Sequence, residues 1–216
     1  MSGIIFIGIM LLLMIIRESR LNRHQAEHDS LTGIPNRAFL KREITRYCEK
    51  KKPFALHLID LNGFKDVNDT LGHHIGDTLL QSVSDRLAQD IDQPYGCLTC
   101  RLGGDEFAII QPAIRSSNSL NIIADKIIQL FEQQFTIDQH TCFIGASIGT
   151  VLYPEHGTDV GSLMTRADIA MYKAKEQAVN SRQMLFNFDM DVQINRRQKL
   201  HTDLREALEY KKLQLV

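Results

Sequence analysis

The segment 98–111 constrains the fold of this chain more than any other. Two short apolar runs, 98–102 and 106–111, flank Gly103-Gly104-Asp105. Apolar runs joined across paired glycines predict a β-hairpin, and a hairpin makes its two strands antiparallel neighbours. Around it, strand-length and helix-length segments alternate. Asn36 is placed to cap a helix over 37–51, which ends on a basic run, favourable at a helix C-terminus, before Pro53. The run 54–60 is short, apolar and closed by Asp60, the profile of a buried central strand. The pattern further predicts helices over 64–71, 76–90, 118–134 and 160–177, and strands over 141–153 and 184–188. Alternation together with a hairpin predicts an α/β fold, with helices flanking a mixed, mostly antiparallel central sheet.

The 216 residues suffice for one packed domain and an appendage, with no need of disulfide or metal staples. Lys and Arg total 25 against 26 Asp and Glu, a net charge of -1. A protein that releases counterions from a nucleic-acid backbone carries a basic surplus, so nucleic acid is not expected as a partner. A single bound nucleotide stays open. Cys97 and Cys100 form a C-x-x-C, the spacing of half a zinc site or a redox pair. Cys48 and Cys142 stand alone, and the motif runs into a strand-to-turn pattern rather than a helix; ordinary reduced thiols are expected.

Residues 1–16 carry no charge, and Arg17, Arg20 and Arg23 follow. As a helix the run would span roughly 24 Å, against a hydrocarbon core of about 30 Å. No basic stretch precedes it and no small-residue cleavage site follows, so it is not a standard signal peptide. A buried core helix would still show a polar face, and this run has none. The expectation is a transmembrane segment over 1–16 and a juxtamembrane linker helix over 17–27. The arginines place the rest on the cytoplasmic side of the inner membrane.

Asp60 closes a buried strand, and Asp105-Glu106 sit on the turn beside two glycines. Carboxylates meeting there can hold Mg²⁺, a hard ion that takes oxygen ligands and substrate phosphates, and glycine lets backbone approach a ligand closely. Each feature alone is also what a plain hairpin turn or a helix cap presents. Together they match a larger pattern. Gly103-Gly104-Asp105-Glu106-Phe107 resembles, letter for letter, the signature of the GGDEF family of diguanylate cyclase domains. Asp29-Ser-Leu-Thr-Gly-Ile-Pro-Asn-Arg37 resembles the family's opening D-x-L-T-G-L-x-N-R. The stretch from Asp60 through Phe64, Lys65, Asn68 and His73 to Asp77 resembles its second motif, D-x-D-x-F-K-x-x-N-D-x-x-G-H-x-x-G-D. Ala146-Ser-Ile-Gly149 and Ala167-Asp168-Ile-Ala-Met-Tyr172-Lys-Ala-Lys175 are similar to its later strand and helix motifs. The resemblance covers about 28–188.

It implies a nucleotidyl-cyclase, palm-like fold in which two GTP condense into cyclic di-GMP and two pyrophosphates, across a homodimer holding one GTP per domain. By resemblance, Asp60, Asp105 and the Leu61 carbonyl bind Mg²⁺, or Mn²⁺ in its place, and Asp105 and Glu106 share the catalytic acidic role. Asn68 and Asp77 are implied as guanine readers, an assignment their donor and acceptor groups allow. His73 is implied at the ribose, and Lys65, the amides near Phe64 and Lys175 at the β and γ phosphates; His74 is expected to face solvent. Three departures stand out. Asn62 replaces the second Asp of D-x-D, with little loss expected. Val179 stands where the family carries a phosphate-binding Arg, preceded by Ala178 in place of Gly, with Arg182 three residues on. Pro94 and Cys97 replace the R-x-x-D of the inhibitory product site, so feedback through it is not expected. The tail 189–216 resembles the linker helix and first strand of an EAL phosphodiesterase domain, as in a piece of a longer two-domain protein. Glu206-Ala207-Leu208 falls inside that helix and is read as coincidence.

Overall fold

The computed structural model describes residues 25–112, 117–176 and 182–193, with isolated positions at 10, 14, 18, 196 and 203. Most of the apolar run 1–16 and most of the tail beyond 193 thus lie outside the described residues, as do Ala178 and Val179. Among the described residues no helix is long and apolar enough to cross a membrane.

Helix α1 spans Arg37–Glu49, and the Asn36 side chain accepts from the amides of Ala38 and Phe39 as expected of its cap. Strand β1, Phe54–Asn62, runs two residues past the expected end. Helix α2, Phe64–Leu71, and helix α3, His73–Leu87, share Gly72 between them. Gly72 has φ 87° and ψ 158°, an extended positive-φ conformation that glycine adopts without strain. The expected 76–90 helix therefore starts earlier and stops at Leu87. Beyond it the backbone widens into a π-helical turn, Ala88–Asp92. There Asp92 accepts from the Thr99 amide at 2.9 Å and its hydroxyl at 2.8 Å, tying the helix end to the next strand.

The hairpin is β2, Leu98–Gly103, and β3, Glu106–Pro112. Helix α4, Ser117–Glu132, is followed by a small separate hairpin, β4 (Phe135–Ile137) and β5 (His140–Cys142). Strand β6, Gly145–Tyr153, helix α5, Val160–Glu176, and strand β7, Arg182–Leu185, complete the domain. Two further expectations are corrected here. The 141–153 strand is two elements, because the chain leaves β5 before entering the main sheet; the continuous apolar letters hide that break. The last strand lies at 182–185 rather than 184–188, since it pairs with β6 from Ser147↔Arg182 to Thr150↔Leu185.

The main sheet has order β2-β3-β1-β6-β7, antiparallel except for the β6–β7 pair, so it is mixed and mostly antiparallel as expected. One face packs Ile59, Leu61, Phe107 and Ile148 against Phe64, Leu79, Val83 and Ile127 of α2, α3 and α4. The other packs Leu56, Leu58, Ala108 and Val151 against Leu40, Ile44, Leu163 and Ala167 of α1 and α5. Gly149 sets the closeness of α5. A methyl group there would overlap the Ala167 carbonyl and the Met171 amide, so only glycine lets the helix backbone lie on β6. Ala167, Ala170 and Ala174 line the same contact and are 0–1% exposed.

Candidate active site

The sheet register assembles the acids. Asp60 on β1 lies opposite Glu106 on β3 and opposite Ser147 on β6. The Leu61 amide donates to the Asp105 carbonyl at 3.2 Å, stitching the glycine turn to the central strand. Asp60, Asp105 and Glu106 therefore meet at one end of the sheet, on the side covered by α5. Lys175, one turn beyond Met171, reaches into this group: its Nζ donates to Asp60 Oδ2 at 2.5 Å. That hydrogen bond raises the Lys175 pKa; its partial burial opposes the rise, and the nearby charges of Asp60, Asp105 and Glu106 add to it. Lys175 is thus bound to Asp60 and lies in the field of Asp105 and Glu106.

Two arginines hold the turn in place, and the sequence reading gave neither a role. Arg101, 9% exposed in its side chain, pairs with Asp29 at 2.7 Å. Its Nε and Nη2 donate to the Gly104 carbonyl at 3.1 and 2.8 Å. Its backbone amide donates to the Pro35 carbonyl at 2.8 Å. Burial alone would raise the Asp29 carboxyl, yet hydrogen bonds from Thr32 and Arg101 hold it below its ordinary value. Arg37 donates to Glu106 Oε2 at 3.2 Å and to the Leu102 carbonyl at 3.3 Å. The opening motif is therefore the clamp of the glycine turn. The available signal was a charge inside an apolar, strand-length run, since an arginine is seldom buried without a partner. Beside Glu106 a cavity of about 280 Å³, floored by Leu58, Phe107 and Met171, leaves that carboxylate approachable from a cleft.

The remaining site residues lie on α2 and α3. Phe64 is buried, while Lys65 beside it is exposed. No side chain caps α2, whose cap residue is Gly63, so its first amides are unclaimed by side chains; this is the arrangement in which helix starts receive anions. The Asn68 side-chain carbonyl lies where a methyl on Gly76 would sit, which puts Asn68 next to Asp77. Asp77 and His73 are exposed, and His74 faces solvent as expected. The Asn62 side-chain carbonyl accepts from Ser147 at 3.1 Å, bridging β1 to β6. Cys97 and Cys100 are buried, and burial, reinforced by Asp92, pushes the Cys97 thiol up to about 12 and the Cys100 thiol higher still. Both stay protonated at neutral pH, as poor a start for metal binding as for redox chemistry.

The donor set suits a hard divalent cation. Among the described residues no three side chains of His, Cys, Asp or Glu lie close enough to enclose an ion by themselves. One or two carboxylates, completed by substrate phosphates, are a usual Mg²⁺ arrangement. The Lys175 ammonium already marks where positive charge is favoured.

Asp60 at the end of the central strand and Asp105-Glu106 on the adjoining glycine turn thus lie at one end of a mixed, mostly antiparallel sheet. The chain belongs to the GGDEF family: residues 26–181 match the model of "Diguanylate cyclase, GGDEF domain". It is 38% identical over 194 residues to the bifunctional diguanylate cyclase/cyclic di-GMP phosphodiesterase MucR of Pseudomonas aeruginosa, covering 88% of this chain and 28% of MucR. It is 40% identical over 166 residues to the diguanylate cyclase TpbB of the same species, covering 74% of this chain and 38% of TpbB. The solved GGDEF domain of TpbB superposes with a TM-score of 0.69 at 38% identity, over 78% of this chain and 99% of that domain. The chain thus spans well under half the length of these two curated relatives.

Proposed function

We propose that this protein is a diguanylate cyclase that condenses two GTP into cyclic di-GMP and two pyrophosphates, working as a homodimer of GGDEF domains. The observation that carries the reading is the Asp60–Lys175 hydrogen bond at the sheet end where Glu106 lies opposite Asp60 and the Asp105 carbonyl takes the Leu61 amide. Asp60, Asp105 and the Leu61 carbonyl would hold Mg²⁺ or Mn²⁺, which when bound neutralises triphosphate charge and polarises the attacking hydroxyl. The chain's own groups do the rest. The uncapped start of α2, with Lys65, receives phosphate oxygens, and Lys175 adds a mobile cation. Asn68 and Asp77 hydrogen-bond the guanine edge, with His73 toward the ribose. Asp105 and Glu106 face the 3′-hydroxyl, Glu106 held in place by Arg37. Purified protein incubated with GTP and Mg²⁺ should release cyclic di-GMP, detected chromatographically; GTP left unconverted at every protein concentration would sink the reading.

A second reading rests on Val179, where the family's phosphate-binding Arg is missing. In it the domain binds GTP without efficient turnover and regulates an EAL-type phosphodiesterase that the tail 189–216 would enter. Relatives of both kinds exist: MucR is named for both activities, and NbdA of the same species, 30% identical, is named a cyclic di-GMP phosphodiesterase. Tight GTP binding without product would select this reading. We further infer that 1–16 anchors the protein in the inner membrane, with the domain over 28–188 in the cytoplasm. Fractionation of cells expressing the full chain and a variant lacking 1–16 tests that.

A further inference from the structure

The hydrogen bond between Lys175 and Asp60 joins an unequal pair. The Asp60 side chain is 12% exposed and rooted in the central strand, whereas the Lys175 side chain is 55% exposed at the end of α5. The root of Lys175 is fixed, because Gly149 and the buried alanines press α5 onto β6. Its tip is free to swing on a four-carbon stem. The ammonium therefore sits on a metal-ligand oxygen without being locked there.

We propose that Lys175 occupies the cation position of the nucleotide-free protein, so that a divalent ion binds well only when a triphosphate arrives to take the lysine away. The proposal rests on reading this site as one for metal and GTP. A divalent ion and an ammonium on the same carboxylate oxygen repel strongly at such separations. An ion arriving alone must displace Lys175 from Asp60, with no phosphate to receive it. When a triphosphate arrives with the ion, the lysine exchanges Asp60 for a phosphate oxygen and keeps a charge-assisted bond throughout. Metal and nucleotide affinities are thereby coupled, each raising the other by the same factor. The lysine also neutralises Asp60 while the site waits, so the buried carboxylate is never left unpaired.

The test titrates Mn²⁺ into the full-length protein without nucleotide, following free Mn²⁺ by its paramagnetic resonance signal. It is repeated with a saturating GTP analogue carrying a methylene bridge between the α and β phosphorus atoms. Lys175→Met should bind Mn²⁺ roughly tenfold tighter than wild type without nucleotide, a modest gain because the lysine is half exposed. Lys175→Gln should behave the same way, which separates the effect from any repacking by methionine. Lys175→Arg, which keeps the charge, should stay as weak as wild type. The factor by which the analogue tightens Mn²⁺ binding should shrink roughly tenfold in the two neutral variants. Asp60→Asn should weaken Mn²⁺ binding in every background. Equal nucleotide-free Mn²⁺ affinity in wild type and both neutral variants overturns the proposal, as does a gain in Lys175→Arg equal to theirs. Wild type failing to bind the analogue, while the neutral variants still gain Mn²⁺ affinity, keeps the competition at Asp60 and overturns the nucleotide reading instead.

Discussion

His57 and Asp60 stand three residues apart on β1, both buried, at 0% and 8% exposure, and the fold treats them in opposite ways. His57 sits in the middle of the sheet between two neutral partners: Nδ1 meets Thr150 Oγ1 at 2.9 Å and Nε2 meets Gln111 Oε1 at 3.1 Å. Burial drives its pKa down to about 4, with the Gln111 bond opposing, so it is uncharged at neutral pH. Asp60 lies at the sheet's end, and its cationic partner comes from the tip of a flexible side chain. A buried polar group with rigid, neutral partners on both sides serves the fold. One whose partner can leave is free to meet a ligand. Burial is shared by the two; what separates them is whether the partner can be exchanged.

The comparison is broken most severely at Asp60 itself. Asp60→Ala and Asp105→Ala should each lower cyclic di-GMP formation by at least about a hundredfold while the thermal midpoint holds or rises. Activity retained in either variant, measured by chromatography, would remove the metal assignment. The Arg101 clamp is of the rigid kind. Arg101→Met should destabilise the domain by about 3 kcal/mol in urea unfolding, because it leaves Asp29 half-buried without its guanidinium. A loss below about 1 kcal/mol would mean that the turn holds itself.

His57 predicts a pH dependence of definite sign. The unfolded chain takes up a proton below about pH 6.5, whereas the folded chain resists until about pH 4. Its contribution is complete above 6.5 and is lost as pH falls toward 4, by about 3 kcal/mol. Urea midpoints from pH 7.5 to 4 should show this slope in wild type and a shallower one in His57→Gln. The smallest effect sharpens the exchangeable side. Restoring the family's phosphate end with Ala178→Gly and Val179→Arg should tighten GTP about tenfold at fixed Mg²⁺ and salt. No gain would mean that the triphosphate tail is held by other groups.

Much of this was legible in local letters. Asn36 before a helical run, the paired glycines between two apolar runs, and the acid closing 54–60 are all signals read from neighbouring residues. The helix, hairpin and central strand they predicted are present. The errors fall where local letters are silent. The β5–β6 break lies inside an unbroken apolar run, and the position of β7 depends on where a parallel partner lies in the sheet. The π-helical turn after α3 accompanies the hold of Asp92 on a strand that comes later in the chain.

By itself, then, the sequence determined most of the elements, the family and the candidate acids, because periodicity, turn chemistry and motif spacing are properties of contiguous residues. Only the tertiary structure decided what those acids touch. Lys175 meets Asp60 across 115 positions of chain, and Arg101 meets Asp29 across 72. Such pairings are set by sheet register and by the closeness of α5 at Gly149. No local pattern encodes them, because they arise only when distant segments are packed against one another.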